Sequence, residues 1–511
     1  DENKLLLKEL DREKIKNIFT ELEFRNLSKR VLGEDLVIEK KAVPVKKETI
    51  SSSSPTTSGQ LDLFGVQSMI EPSEPKETSS FKTIVTENGK YHLVSDTEQI
   101  QELISILNDQ DEVCFDTETT SLEARHAELV GVSFCFKNKE AYYVPIAESE
   151  NIEDNRIQHF KTFFSNPKIL KIGHNLKYDI KVLNRYGISV SKNCFDTMIA
   201  HYLINPEARQ SMDFLAEFYL EYKTISIVDL IGKKGKNQKN MKDLSPEQVC
   251  DYACEDADIT FQLKKRFEEE IDKPHLKSLF YDVEIPLMFV LKNMENEGIA
   301  LDVPTLNVFG ESVEKDLVRL AEEITKIAGE TFNIDSPRQL GEILFDKLKI
   351  SSKAKKTKTG QYATSEDVLV KHRKDHPIVE SILEYRQLKK LKSTYIDPLP
   401  ELCDAKDGRI HTHFMQTVTA TGRLSSNNPN LQNIPIRSAK GREIRKAFVA
   451  KNANHQLMAV DYSQIELRII AALSEDKAMI EAFSNGVDIH TSTAAKVFKT
   501  PVNEVSREQR S

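Results

Sequence analysis

Between residues 81 and 268, strand-like runs alternate with helical ones, and this alternation constrains the fold more than any other feature. The runs FKTIV, EVCFDTE, LVGVSFCF and AYYVPI are rich in β-branched and aromatic residues, whereas QELISIL and IKVLNRYG have apolar residues at helical spacing. Helices that alternate with strands pack against one sheet. The pattern therefore predicts an α/β layered domain over residues 81–268.

Composition divides the rest of the chain. Residues 1–36 have helical spacing but are too few for a core, so we interpret them as the end of a domain that begins upstream. Residues 37–80 are rich in Ser, Pro, Thr, Lys and Glu, which predicts a flexible linker. Residues 269–406 are mostly helical in pattern, and residues 407–511 are mixed. The length of 511 residues agrees with several domains.

The overall composition narrows the functional class. With 39% hydrophobic and 30% charged residues, the chain resembles ordinary globular proteins. A net charge of -9 argues against a wholly basic nucleic-acid binder, so DNA contacts would need local basic patches. No apolar run approaches the roughly 18 residues that cross a membrane, and DENKLLLKEL is too charged for a signal peptide. Six cysteines without a CxxC pair suit reduced thiols, so we expect an intracellular protein.

The segment VCFDTETTSLEA, residues 113–124, ends an apolar strand with two carboxylates, Asp116 and Glu118. Residues two apart in a strand point to the same face, so the two negative charges are held close together. Like charges repel unless a cation lies between them. The pattern favours a metal site, although an acidic pair at a strand end also serves as a helix cap or a loop charge.

Two later segments repeat this acidic theme. In HNLKYD, Asn175 and Asp179 are four residues apart and are predicted to share one face of a helix. In DYACEDAD, Tyr252 and Asp256 have the same spacing on a predicted helix. Taken singly, the first pair suits an ordinary helix surface, and Tyr252 suits a packed aromatic residue with a hydrogen-bonded hydroxyl.

Four carboxylates and a phenol suit one kind of chemistry. Mg²⁺, with Mn²⁺ as an alternative, prefers oxygen ligands. Two such ions about 4 Å apart can activate a water and stabilise the leaving oxygen of a phosphodiester. Tyr252 could then orient the attacking water, without a histidine or serine triad.

The three segments FDTET, HNLKYD and YACED together resemble the motifs of the DEDDy 3′–5′ exonuclease superfamily. The resemblance implies a ribonuclease-H-like fold with Tyr252 as the catalytic tyrosine. It implies two metal ions held by four catalytic carboxylates: Asp116, Glu118, Asp179 and Asp256. Leu122 would wedge against the terminal base of the DNA, and Asn175 would lie at the nucleotide.

A later segment, TATGRLSSNNPNLQNIPIR (residues 419–437), joins Arg423 to the amide side chains of Gln432 and Asn433. Arginine and amides suit hydrogen bonds to phosphates and to the minor groove. In LMAVDYSQIELR, the apolar run 457–460 predicts a buried strand that ends in Asp461. A carboxylate at such a strand end suits a metal site or a helix cap, and a helix containing Glu466 is predicted to follow.

These two segments resemble family-A DNA polymerases of bacteria. The resemblance implies that Asp461 binds catalytic magnesium, that Glu466 lies beneath the sugar and that His490 contacts the nucleotide. It implies contacts with primer and template from Arg423, Gln432, Asn433 and Arg437. Residues 1–36 would be the last helices of a 5′ nuclease domain, 269–406 the thumb, and 407–511 a partial palm with the start of the fingers.

The resemblance stops before two of the family's functional elements. The fingers helix whose lysine grips the triphosphate, and the second palm carboxylate strand, have no counterpart up to Ser511. We therefore expect the polypeptide as given to lack DNA synthesis from deoxynucleoside triphosphates, the expected reaction of its full-length parent in replication and repair. The activity expected here is proofreading removal of nucleotides from frayed or single-stranded DNA 3′ ends. We expect it in the bacterial cytoplasm, at the nucleoid.

There are two alternatives, of which the first belongs to another class of protein. A non-catalytic DNA-binding or scaffold module would keep the fold but lack a working site. An exoribonuclease of the same fold would leave the segments between residues 419 and 468 unexplained.

The segment GQLDLFG stands apart from its polar surroundings in the predicted linker. Its residues Gln60, Leu61, Leu63 and Phe64 resemble the short motif with which bacterial replication proteins bind the sliding clamp. The alternative is a chance pentapeptide, since large apolar residues gain nothing while solvated.

Overall fold

The computed structural model describes residues 12, 14–15, 81–87, 89–146, 156–357, 359–436, 438–486 and 488–510. Most of the predicted 5′ nuclease remnant, the whole linker, the clamp-like motif and Arg437 lie outside these residues. All elements described below belong to the unit Ser79–Ser511.

Six strands form one mixed sheet that includes the strand carrying Asp116 and Glu118. The strands are β1 Lys90–Leu93, β2 Glu112–Thr119, β3 Leu129–Lys137, β4 Glu140–Pro145, β5 Leu170–Gly173 and β6 Cys194–Asp196. Their spatial order is β1, β4, β3, β2, β5, β6. Strand β2 pairs antiparallel with β3 and parallel with β5, so it is flanked on both sides. This central place explains why most of EVCFDTET is buried.

One predicted strand is wrong. In residues 81–85, Lys82 forms only an isolated bridge with Tyr222, and a short helix follows at Ile84–Glu87. The first strand of the sheet is KYHL at Lys90–Leu93, an edge strand without a fully buried residue. An edge strand with one partner needs little apolar surface, so its hydrophobic signal in the sequence is weak. The other three predicted strands and both helical runs are confirmed.

Helices complete this layer around a hydrophobic core that extends from Val94 to Phe289. They are α1 Ile84–Glu87, α2 Thr97–Asn108, α3 Lys161–Ser165, α4 Leu176–Arg185, α5 Thr197–Ile204, α6 Met212–Leu215, α7 Ile227–Ile231 and α8 Pro246–Ile271. Helix α8 packs across β1 to β5. It begins with a capping box between Ser245 and Gln248, and Pro246 is its first residue, so the sequence fixes its start.

A second core extends from Leu301 to Ala447 in the mostly helical region. Its main elements are α9 Pro274–Ser278, α10 Ile285–Glu297, β7 Ile299–Leu301, α11 Val303–Ala328, α12 Pro337–Gly341, α13 Glu366–Lys371, α14 Pro377–Leu391 and α15 Pro398–Glu401. Helices α11 and α14 pack against each other. Gly298 ends α10 at a φ of 65°, where a Cβ would lie 2.7 Å from the carbonyl oxygen of Ile410.

Small strands and helices follow. They are β8 Arg409–Ile410, β9 His413–Met415, β10 Ser425–Asn427, α16 Ala439–Lys446, β11 Phe448–Val449, α17 Ile465–Ser474, α18 Lys477–Ser484, α19 Ile489–Phe498 and α20 Arg507–Arg510. Strand β7 lies between β11 and β8, and β9 pairs with β10. The domain boundaries stay predictions.

The predicted buried strand at residues 457–460 is wrong. The segment has no regular structure, and Leu457, Met458 and Val460 are exposed. A strand needs a neighbour to pair its backbone and cover its side chains. No strand described in this chain pairs with the segment, so its apolar residues remain at the surface. The helix predicted to contain Glu466 is confirmed as α17.

Glu295 on α10 connects the two regions of the fold. Its side chain is fully buried and receives Lys177 Nζ at 2.6 Å and Lys181 Nζ at 2.8 Å, both from α4. Its Oε1 also accepts the backbone N–H of Phe414 on β9 at 2.8 Å. Although burial opposes it, the hydrogen bond to His413 and the two lysine charges lower the pKa of Glu295 to about 2. A single carboxylate therefore ties α4, α10 and β9 together.

We expect Glu295→Gln to lower the free energy of unfolding at pH 7 by about 3 kcal/mol, because it leaves the buried ammonium of Lys181 and the partly buried one of Lys177 without a counter-charge. Urea denaturation measures this loss. The matched control is Glu342→Gln, which removes an exposed pair with Arg338 and should change stability by no more than about 0.5 kcal/mol. Equal effects of the two substitutions would contradict the role of Glu295.

Candidate active site

Three of the predicted carboxylates meet at one place in the sheet layer. Asp116 and Glu118 lie on β2 with one residue between them, and Asp256 lies on α8, which packs against that strand. One carboxylate oxygen from each residue lies within 4.8 Å of the others. Residues 140 positions apart are therefore brought together by the packing of α8 on β2.

Asp179 lies beside this trio rather than within it. Its carboxylate accepts a hydrogen bond from Thr117 Oγ1, the residue between Asp116 and Glu118. The charges of Asp116 and Asp179 act on each other and on Glu118. Asp179 thus belongs to the same acidic group. The hydrogen bond from Thr117 holds its carboxylate beside the trio.

Asp196, which is not one of the predicted metal ligands, fixes the start of α4 and thereby positions Asp179. The buried Asp196, at the end of β6, accepts N–H hydrogen bonds from Asn175 at 3.2 Å and Leu176 at 2.8 Å. Asn175 is the N-cap, with a φ of 64°, so it precedes the helix instead of lying on one of its faces. The predicted shared helical face of Asn175 and Asp179 is therefore wrong; a left-handed turn separates them.

The carboxylates repel one another in a site with little water. Burial raises the pKa of Asp116 to about 7. Burial, and then the charges of neighbouring carboxylates, raise the pKa values of Glu118, Asp179 and Asp256 well above their usual range. Carboxyl groups with raised pKa values hold their protons more tightly, so the full negative charge of this group develops only when a cation binds.

Two buried oxygens in the trio show what would fit there. Glu118 Oε1 and Asp256 Oδ1 have no hydrogen-bond partner, which is costly for a buried carboxylate. Hard divalent cations prefer carboxylate oxygens, and a cation would neutralise the repulsion and satisfy both atoms. The residues present therefore fit a Mg²⁺ or Mn²⁺ site.

The phenol of Tyr252 points toward these carboxylates. It is hydrogen-bonded to Asp256, and burial followed by the charge of Asp256 raises its pKa. Tyr252 therefore stays protonated and can donate. Leu122, predicted to touch the terminal base, follows β2 and is 95% exposed.

The structure brings together fewer of the predicted polymerase residues. Arg423 pairs with Glu466 at 2.5 Å, and both side chains are exposed. Gln432 folds back onto the chain, where it accepts the N–H of Ser426 at 3.1 Å. Asn433 is exposed, and its carbonyl accepts the hydroxyl of Tyr395.

Asp461 is exposed, and among the described residues it belongs to no group of three potential metal ligands. His490 lies exposed on α19. The DNA-contacting and metal-binding roles of these polymerase residues stay predictions.

A second acidic group, Asp404 and Asp407 with His411, is already occupied by side-chain cations. Arg125 donates to Asp404 at 2.9 Å and to Asp407 at 3.2 Å. Arg409 also pairs with Asp407, at 3.1 Å. These contacts explain the cluster as an ion-pair network.

The sequence analysis did not identify Thr117 and Asp196 as parts of the site. Asp196 carried a usable signal, because CFDTMIAHYL is a short apolar run, an aspartate and then helical spacing, which is typical of an N-cap. Thr117 carried none, since its partner Asp179 is 62 residues away.

Two family models match this chain. The model described as 3′-5′ exonuclease matches residues 91–272, which contain the carboxylate group. The model described as DNA polymerase family A matches residues 303–511. A solved structure, the POL domain of Pol1 from M. smegmatis in complex with DNA primer-template and dNTP, has 31% sequence identity and a TM-score of 0.69. It covers 82% of this chain, and the match covers 69% of that structure. The chain belongs to the family-A DNA polymerases and carries a 3′–5′ exonuclease domain.

The similar curated relatives are DNA polymerases I. The enzyme of Borreliella burgdorferi is 44% identical over 439 residues, which is 85% of this chain and 47% of the relative. That of Chloroflexus aurantiacus is 39% identical over 510 residues, 98% of this chain and 52% of the relative. The chain thus spans about half the length of the curated relatives it matches. Within the described residues, no helix combines the length and apolarity needed to cross a bilayer.

We expect Mg²⁺ to raise the thermal midpoint of this protein and EDTA to reverse the rise, because a cation offsets the repulsion among buried carboxylates. Asp116→Asn with Glu118→Gln should abolish the Mg²⁺ effect and raise the midpoint in EDTA. Differential scanning fluorimetry checks both. The control pair, Glu98→Gln with Asp109→Asn, changes exposed carboxylates of the same layer and should keep the wild-type response. An unchanged Mg²⁺ response in the site variant would refute this metal site.

Proposed function

We propose that the group around Asp116, Glu118 and Asp256 removes nucleotides from DNA 3′ ends with the help of two Mg²⁺ ions. The observation that carries the proposal is the meeting of three carboxylates, two of them buried and with unpartnered oxygens, beside a protonated tyrosine. Asp179 would complete the ligand set, and the match to a 3′-5′ exonuclease family agrees with this reaction.

The residues of this chain would divide the work. The four carboxylates would hold the ions, which would supply a water of lowered pKa and offset charge on the leaving 3′ oxygen. Tyr252 would donate a hydrogen bond from its hydroxyl and so orient the attacking water. Thr117 and Asp196 would hold Asp179 in place. Leu122 would keep the terminal base out of its stack, and frayed or single-stranded ends would be preferred because their terminal base is already unstacked.

The whole protein is proposed to synthesise DNA. The similar M. smegmatis structure contains primer-template and dNTP, and this chain matches the polymerase family over residues 303–511. On this proposal Arg423, Gln432 and Asn433 contact DNA. Asp461, whose segment is exposed, acts at a metal when that segment is paired in a sheet.

Two finer predictions belong to the same proposal. The motif at residues 60–64 would bind a bacterial sliding clamp, and DNA binding would keep the protein at the nucleoid. Both partners would bring a polymerase to the ends that its exonuclease corrects.

Purified protein with Mg²⁺ should shorten the 3′ end of a 5′-labelled single-stranded oligonucleotide on a denaturing gel. Asp116→Ala with Glu118→Ala should abolish the shortening, because β2 then carries neither of the two carboxylates that would hold the ions. Circular dichroism should show an unchanged fold, and Glu98→Ala with Asp109→Ala should cleave as wild type does. Shortening that survives in the site variant would refute the assignment.

Tyr252→Phe should lower the rate of shortening about tenfold to a hundredfold while Mg²⁺ still raises the thermal midpoint, because the hydroxyl orients water but is not needed to hold metal. Single-turnover cleavage measures the rate. A rate within twofold of wild type would make Tyr252 a packing residue.

A further inference from the structure

The loop that carries Leu122, residues 120–128 between β2 and β3, is held on two sides by different regions. Within the exonuclease layer, Asn240 Nδ2 donates to the carbonyl of Thr120 at 2.9 Å, and Tyr178 donates to the carbonyl of Ser121. These contacts hold the residues that precede Leu122.

The residues that follow Leu122 are held by the polymerase region. Glu123 Oε2 contacts His413 Nε2 on β9 at 2.9 Å. Arg125 pairs with Asp404 and Asp407, and donates to the carbonyl of Asn296 at 3.2 Å. The loop therefore connects the two regions, since its residues after Leu122 contact residues more than 170 positions away in sequence.

His413 also pairs with the segment predicted to meet DNA, and Glu295 connects it to the helix that carries Asp179. In the pairing of β9 with β10, His413 lies opposite Asn427, and Asn427 is four residues after Arg423 in the sequence. Its Nδ1 is 3.8 Å from Glu295 Oε2, which in turn binds Lys181 on α4. Hydrogen bonds to Glu123 and Glu295 raise the pKa of His413 to about 9, so the imidazole is charged at neutral pH.

We propose that His413, through Glu123, is a positioning residue that the polymerase region supplies to the Leu122 loop of the exonuclease site. The inference rests on the proposed exonuclease function. Leu122 can separate a terminal base from its partner only if its loop stays in place when a paired end contacts it. The ion pair between Glu123 and His413 on β9 holds the loop in place. A single-stranded end needs no such separation, so it should be cut without that ion pair.

If His413 positions the loop, its loss should affect paired and single-stranded 3′ ends differently. The loss of a residue that only stabilises the fold should affect both alike. Loss of general stability or of metal would slow the cleavage of every 3′ end. Loss of loop positioning should slow the cleavage of paired ends selectively, and the ratio of the two rates is the diagnostic quantity.

The test uses the full chain, Mg²⁺ and one 5′-labelled strand, either alone or annealed to its complement. His413→Gln should cut the annealed end about fivefold more slowly and the single strand within about twofold of wild type. Glu123→Gln should also slow the annealed end selectively, and the double variant should be no worse than His413→Gln alone, because both substitutions break the Glu123–His413 ion pair. His372→Gln, which removes the contact of His372 Nδ1 with Asp375 far from the loop in sequence, should leave both rates unchanged.

Three results would overturn the inference. They are equal slowing on both substrates, no slowing on the annealed end, and additive losses in the double variant. If wild type cuts neither substrate, the proposed function fails, and the inference falls with it. If wild type cuts both and the ratio is the same in every variant, only the inference fails.

Discussion

Repulsion among buried carboxylates is the constraint on which the exonuclease layer depends. Asp116, Glu118 and Asp256 are close enough for mutual repulsion, and burial removes the water that would screen them. Only a rigid scaffold can keep them so close. Here the scaffold is a central strand with neighbours on both sides and a 26-residue helix across five strands. The fold therefore stores the electrostatic stress that a cation would relieve.

The sequence predicted this layer well where the pattern was local. Strand β2 contains the apolar run 113–115 because both of its faces are covered, and the placement of Asp116 and Glu118 on one face follows from the two-residue period. Predictions failed where a neighbour decided the structure. KYHL is a strand only because β4 pairs with it, and residues 457–460 are not a strand because no described strand does. Likewise, no local pattern shows that Asn175 takes a left-handed turn, which depends on Asp196.

The contacts between the two regions were beyond sequence reasoning for the same reason. Glu295 appears in the sequence as one acid within a helix, yet it is the buried partner of two lysines on α4. Glu123 and His413 are 290 residues apart and carry no motif. Ion pairs of this kind depend on tertiary packing and can be recognised only when both partners are placed.

The non-catalytic scaffold is the alternative that the geometry weakens most. A module that only bound DNA would gain stability if its buried carboxylates were amides or apolar groups, because each unpartnered charge costs free energy. This chain keeps three carboxylates within 4.8 Å of one another, with Asp179 beside them. Among the described residues only four buried side-chain oxygens have no partner, and Glu118 Oε1 and Asp256 Oδ1 are two of them. Two unpartnered carboxylate oxygens at one place, beside a tyrosine that can donate, are typical of a site arranged for chemistry. The ion-paired loop with Leu122 directly follows β2, the strand that carries Asp116 and Glu118.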